Sequence, residues 1–165
     1  MPVEIERKFL VAGNTWRSDV ISCEHLHQVY LTANEALSVR VRISGAELAT
    51  MTTKLPGSGI TRFEFEQRIP IGEAAALMRM SDGNCIEKTR HSVDHAGHRW
   101  VIDCYEGDNA GLVVAEIELE QEDEHFVPPP WLGEEITGVS RYRNSTLARQ
   151  PYESWKDQLS LKASA

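Results

Sequence analysis

The sequence is poor in cysteine, poor in positive charge, and without a long apolar run. Its three cysteines, Cys23, Cys85 and Cys104, are odd in number and widely spaced, with no CxxC pair. That argues against a zinc ribbon or a thioredoxin-type redox centre, and isolated thiols in a reducing compartment are the plain reading. No apolar stretch approaches the roughly 20 residues of a membrane helix, and the start, Met1-Pro2-Val3-Glu4-Ile5-Glu6-Arg7-Lys8, is too charged for a signal peptide. A soluble, cytoplasmic protein is the expectation. Lys and Arg total 17 against 25 Asp and Glu, for a net charge of −8. This balance argues against a nucleic-acid or membrane partner, although a local basic site remains compatible with it. There is no GxxxxGK[ST] loop, so the chain is not a P-loop enzyme.

What the chain does have is an ordinary globular make-up. Its 165 residues are 41% hydrophobic and 25% charged, enough to bury a core without disulfide or metal staples. No repeat or linker divides it, so a single domain over 1–165 is expected. Period-two alternation dominates the first 120 residues and predicts strands at 3–11, 27–32, 36–44, 49–55, 62–69, 85–93, 98–105 and 112–121. Turn chemistry at 56–59, 81–84 and 94–97 punctuates them. Helices are expected at 72–80, more briefly at 15–21, and again at 131–137, 145–149 and 152–162. The class is α+β, with eight antiparallel strands that suit a large twisted sheet or a closed barrel.

The charges alternate with the apolar residues. Glu4, Glu6 and Lys8 share one face of the first strand, opposite Val3, Ile5 and Phe9. Arg40 and Arg42, Lys88 and Arg90, Glu64 and Glu66 with Arg62, and Glu116, Glu118 and Glu120 repeat the device. A solvated charged face is the ordinary meaning of such a pattern. Here, however, near-pure like charges sit roughly 6.6 Å apart on each strand, which costs the sheet unless opposite charge lies between them. A shared, charge-lined interior meets that condition. Within it Arg40, Arg42, Lys54, Lys88 and Arg90 would bind a polyanion. Glu4, Glu6, Glu116 and Glu118 offer hard oxygen ligands for Mg²⁺ or Mn²⁺.

Glu4-Ile5-Glu6-Arg7-Lys8 also resembles the ExExK signature of the CYTH, or triphosphate tunnel metalloenzyme, superfamily. Gln28-Val29-Tyr30-Leu31, Arg40-x-Arg42, Lys54, Arg62-x-Glu64-x-Glu66, Lys88-x-Arg90, Asp103, Glu116-x-Glu118-x-Glu120 and Tyr142-Arg143-Asn144-Ser145 follow in that family's order. The resemblance implies an eight-stranded antiparallel β-barrel with a charged lumen and helices packed outside. It implies hydrolysis of a linear triphosphate, most simply inorganic tripolyphosphate to pyrophosphate and phosphate, with one or two Mg²⁺ or Mn²⁺ ions. The alternatives are a class IV-type adenylate cyclase, a thiamine triphosphatase and a non-catalytic polyphosphate binder. By position, Lys8, Arg40, Arg42, Lys54, Lys88, Arg90 and Arg143 would grip phosphate. Glu4, Glu6, Glu64, Glu66, Glu116 and Glu118 would hold metal, with Asp103 and Glu120 behind them. Lys8, Glu4 and Glu6 form the expected catalytic group, with Lys8 orienting either the attacking water or a phosphate. The expected partner is the small-molecule substrate alone, in a monomer or homodimer. His91, His95 and His98 are read as a solvated turn, His25 and His27 are given no role, and the four tryptophans are read as packing residues.

Overall fold

The computed structural model describes residues 3–81 and 85–158. Nine antiparallel strands are connected in the order β5-β4-β3-β2-β6-β7-β8-β1-β9, and an added pairing of β5 with β1 closes the first eight into a barrel. The strands are β1 (Val3–Val11), β2 (Val20–Ala33), β3 (Ser38–Ser44), β4 (Leu48–Pro56), β5 (Thr61–Arg68), β6 (Cys85–His95), β7 (His98–Tyr105), β8 (Val113–Glu118) and β9 (Leu132–Glu135). Of the two shapes compatible with eight strands, the closed one is realised.

β1 is the keystone because it has three neighbours. Its residues 6–10 pair with β8, Val3–Ile5 close the ring against Phe63, Arg62 and Thr61, and Phe9 and Val11 pair with β9. The segment at 131–137 is therefore a strand rather than the expected helix. Gly133 permits it: a Cβ there would stand 2.7 Å from the Leu10 carbonyl oxygen. β2 also begins seven residues before the expected strand, and the expected strand at 112–121 is shorter, Val113–Glu118.

The ladders fix which side chains face inward. Lys8 lies opposite Glu116, Glu6 opposite Glu118, Lys54 opposite Glu64 and Arg90 opposite Asp103, so the charged set shares the lumen. The outward apolar set is covered in two places, and a third apolar cluster lies on the inward face, where it plugs one end of the lumen. Helix α1 (Ile71–Met80) lies on β2, β3 and β4, burying Val29, Val41 and Ala49 beneath Ala74. Trp16, Phe126 and Trp131 cover Phe9, Trp100, Ala115 and Ile117, with Trp100 at the centre of edge-to-face contacts to Phe9, Phe126 and Trp131. At one end of the barrel, Tyr105 and Val114 pack with Ile136, Tyr142 and Leu147. There Trp155 stacks edge-on against Tyr142 and Tyr152. Trp16, Trp100 and Trp131 are core residues, as expected. The helix expected at 152–162 falls partly outside the described residues; its described beginning is a 3₁₀ turn at Tyr152–Ser154.

Candidate active site

Two cavities occupy the lumen. One, of about 390 Å³, is lined by Glu4, Glu6, Lys8, Arg40, Lys54 and Arg143 and opens where the β2–β3 and β4–β5 loops meet the segment 136–145. The other, of about 440 Å³, is lined by Glu4, Glu6, Arg90, Glu116, Glu118 and Glu120. Glu4 and Glu6 belong to both, which places these carboxylates between the two chambers.

The first strand is held in place by cation–carboxylate pairs. Lys54 Nζ donates to Glu4 at 2.5 Å and lies 2.6 Å from Glu64, so one ammonium ties β4 to the closing seam between β1 and β5. Lys8 Nζ donates to Glu116 at 2.8 Å and lies 3.1 Å from Glu6. Burial works against the charge of both lysines, but the surrounding carboxylates outweigh it. Glu116 and Glu6 hold Lys8 well above its ordinary range, and Glu6, Glu4 and Glu64 raise Lys54.

Arg90 and Lys88 converge on Asp103. Arg90 donates from Nε and Nη2, each at 2.8 Å, in a bidentate fork, and its Nη2 reaches Glu116 at 3.3 Å. Lys88 Nζ donates to Asp103 at 2.5 Å and contacts Asn144 at 3.4 Å. Burial would raise the Asp103 carboxyl, but the Arg90 and Lys88 charges hold it well below the usual carboxylate range. Burial, reinforced by Arg90 and Arg42, pushes Lys88 down to about 7 against the pull of Asp103. Lys88 and Asp103 have no exposed side-chain surface and line neither cavity. Their position makes them a rigid support behind Arg90 and Asn144.

Arg42 likewise lines neither cavity. It donates to Gln28 at 3.1 Å, and burial followed by repulsion from Arg40 and Arg90 lowers it to about 10. Arg40 does face the first cavity. Its Nη2 donates to Thr52 at 2.9 Å, while the Thr52 hydroxyl donates to Glu66 at 2.8 Å. Thr52, Gln28, Tyr105 and Asn144 are thus working neighbours that charge patterning passed over. Tyr105 donates to the Asn144 side chain at 2.7 Å. Of these, Gln28 and Asn144 stood inside quoted motifs, whereas Thr52 and Tyr105 carried no signal of their own.

The donor set suits a hard divalent cation. The buried and flanking carboxylates exceed what Lys8 and Lys54 neutralise, and the excess shows at Glu118. Burial and the nearby Glu4, Glu6 and Glu64 raise its carboxyl above the ordinary value. An oxygen-ligated ion between Glu4, Glu6, Glu116 and Glu118 would relieve that repulsion. Glu64 and Glu66 lie farther round the wall, engaged by Lys54 and by Arg40 with Thr52. Glu120 is exposed, and its backbone N–H donates to Glu124.

Comparison with known proteins decides the family. The CYTH domain model matches residues 2–152. The chain belongs to the CYTH family. Among CYTH proteins, one from Acetivibrio thermocellus called inorganic triphosphatase is 39% identical over 158 residues, covering 95% of this chain and all of that one. Another inorganic triphosphatase, from Nitrosomonas europaea, is 38% identical over 149 residues, covering 88% and 96%. The crystal structure of the inorganic triphosphatase NE1496 superposes with a TM-score of 0.66 at 35% identity, covering 90% of this chain and 95% of that chain. The PH1012 protein of Pyrococcus horikoshii, at 18% identity and a TM-score of 0.54 over 73% of this chain and 81% of that one, shares the CYTH fold alone.

Proposed function

We propose that this protein is a divalent-metal-dependent triphosphatase that converts inorganic tripolyphosphate to pyrophosphate and phosphate, with Mg²⁺ or Mn²⁺ as the ion. The observation that carries the reading is the pair of chambers meeting at Glu4 and Glu6, cationic on one side and carboxylate-rich on the other. The inorganic triphosphatases to which the chain is 38–39% identical support the choice of substrate. The three free thiols accord with action in the reducing cytoplasm.

In this reading Arg40, Lys54 and Arg143 bind the phosphate chain from the first chamber, with Lys8 beside them and Arg90 on the opposite wall. Glu4, Glu6, Glu116 and Glu118 hold the metal. The bound ion would neutralise phosphate oxygens and activate water for attack on a terminal phosphorus. Lys8, charged and fixed between Glu6 and Glu116, orients a phosphate oxygen and stabilises charge that grows as the anhydride bond breaks. Arg40, already pre-aimed by Thr52, does the same without reorganising. Lys88 and Asp103 hold Arg90 and the Arg143–Asn144 corner in register from behind.

The test is phosphate and pyrophosphate release from tripolyphosphate, ATP and thiamine triphosphate, with Mg²⁺, Mn²⁺ or chelator. Metal-dependent release strongest on tripolyphosphate is expected. Arg40→Ala should cost about 1.5–3 kcal/mol of substrate binding, read chiefly in KM. Glu118→Gln should raise the metal concentration needed for half-maximal rate. Cyclic AMP from ATP, or binding of tripolyphosphate without turnover, would overturn the assignment.

A further inference from the structure

The outer wall of the barrel carries a second group of ligating side chains that the tunnel does not use. On β2 and β6, His27 lies directly opposite Glu87, and Cys85 is two residues from Glu87 on the same face. Because Ile86 and Lys88 alternate with them and face inward, these three side chains point away from the lumen. One ligand atom from each of His27, Cys85 and Glu87 lies within 4.8 Å of the others, with His27 and Cys85 half-buried and Glu87 exposed. The imidazole Nε2 and the thiol sulfur are already 2.8 Å apart.

We infer that His27, Cys85 and Glu87 form a binding site for a borderline-soft divalent cation of the zinc type, with water as a further ligand. Three donors of this kind plus water match an open tetrahedral zinc site, whereas the all-oxygen carboxylate set of the lumen suits a harder ion. Two hydrogen-bonded strands supply the ligands, so most of the ordering cost is met by the fold. The nitrogen and sulfur must separate by about 0.7 Å, since zinc bond lengths place such a pair roughly 3.5 Å apart. A rotation of the Cys85 side chain suffices. Entry is from the Glu87 side.

Binding must also displace a proton. In the unliganded protein Cys85 is a free cysteine. A cation that takes it as thiolate releases that proton, and its apparent affinity rises with pH. The ordinary alternative for the same contact is a thiol–imidazole hydrogen bond with no ion.

Cobalt(II) titration of the full chain separates the two, because only a thiolate ligand gives a sulfur-to-cobalt charge-transfer band and the lumen contains no cysteine among its lining residues. The wild type, with Mg²⁺ in excess to occupy the lumen carboxylates, should develop this band, and zinc should abolish it by competition. Cys85→Ser should lose the band, while Cys23→Ser and Cys104→Ser keep it. Glu87→Ala, at an exposed position that tolerates truncation, should weaken cobalt binding at least tenfold with the melting temperature held. A wild type without the band, a band that survives Cys85→Ser, or unchanged affinity in Glu87→Ala would each overturn the site.

Discussion

At the scale of single residues, the lumen sorts its charges by what each can reach. Lys8 and Lys54 touch carboxylates and a cavity at once, whereas Lys88 lines neither cavity and is engaged by Asp103, Asn144 and the face of Tyr105. Asp103 is the residue on which this arrangement turns, since two buried or half-buried cations share its oxygens. Replacing it with Asn leaves both cations short of a counter-charge, which costs about 3–5 kcal/mol at neutral pH. The folded Asp103 carboxyl is depressed, so its stabilisation is complete above the unfolded value of roughly 3.9 and fades as the pH falls below it. Denaturant unfolding of wild type and Asp103→Asn at pH 7 and near pH 3 should therefore show a gap that narrows in acid. An equal gap at both would place the Asp103 contribution elsewhere than in its charge.

At the scale of elements, what was legible in the sequence is what alternation encodes. β1 and β7 run over the residues expected, because apolar and charged side chains alternate over the first half of β1 and the turn at Ala96-Gly97, with φ of 48° and 85°, gives a sharp boundary to β7. The first half of β2, Val20–Leu26, mixes Ser, Cys, Glu and His on a largely exposed face, so no periodicity announced it. β9 was hidden for a different reason. Its four residues, Leu132-Gly133-Glu134-Glu135, are too short for a pattern, and a partner 120 residues away decides their conformation. In the same way, sequence charge identified the lumen set but not the depth at which each member sits; Arg42 and Lys88 look like Arg40 and Lys54 until their neighbours are known. The His91–His98 turn departs from the solvated reading as well, with His91 edge-on to Trp16 and His98 bound to Glu124 at 2.9 Å. Gly133 tests the β9 contact. Gly133→Ala would press a methyl onto the Leu10 backbone, lowering stability by about 1–3 kcal/mol, or several degrees of melting temperature. Gly72→Ala, where an added Cβ meets nothing within 4 Å in the first turn of α1, should be neutral or slightly stabilising in the same melting experiment.

At the scale of the whole molecule, a net charge of −8 surrounds a lumen in which carboxylates crowd one chamber and cations line the other. Such a barrel is stabilised by what it binds. A divalent ion at about a hundred times its dissociation constant adds about 2.7 kcal/mol to the stability of the folded chain. Melting temperature should thus rise with Mg²⁺ or Mn²⁺ and fall back on chelation, while Glu118→Gln flattens the response. A melting temperature indifferent to both ions would remove the carboxylates from the metal site.

The three-neighbour position of β1 also sets a schedule for biosynthesis. The ExExK strand leaves the ribosome before the other strands of the barrel, yet its residues 6–10 have no ladder partner until β8, more than 100 residues later. At ordinary translation rates that is a wait on the order of ten seconds. For that interval Glu6 and Lys8 lack their ladder partners, although Glu4 can already pair with Arg62 of β5, and the ring is completed only when β8 arrives. Chains halted between Arg90 and Val113 carry most of the proposed phosphate-gripping residues but no closed tunnel, so such a partly made copy is expected neither to capture nor to consume substrate.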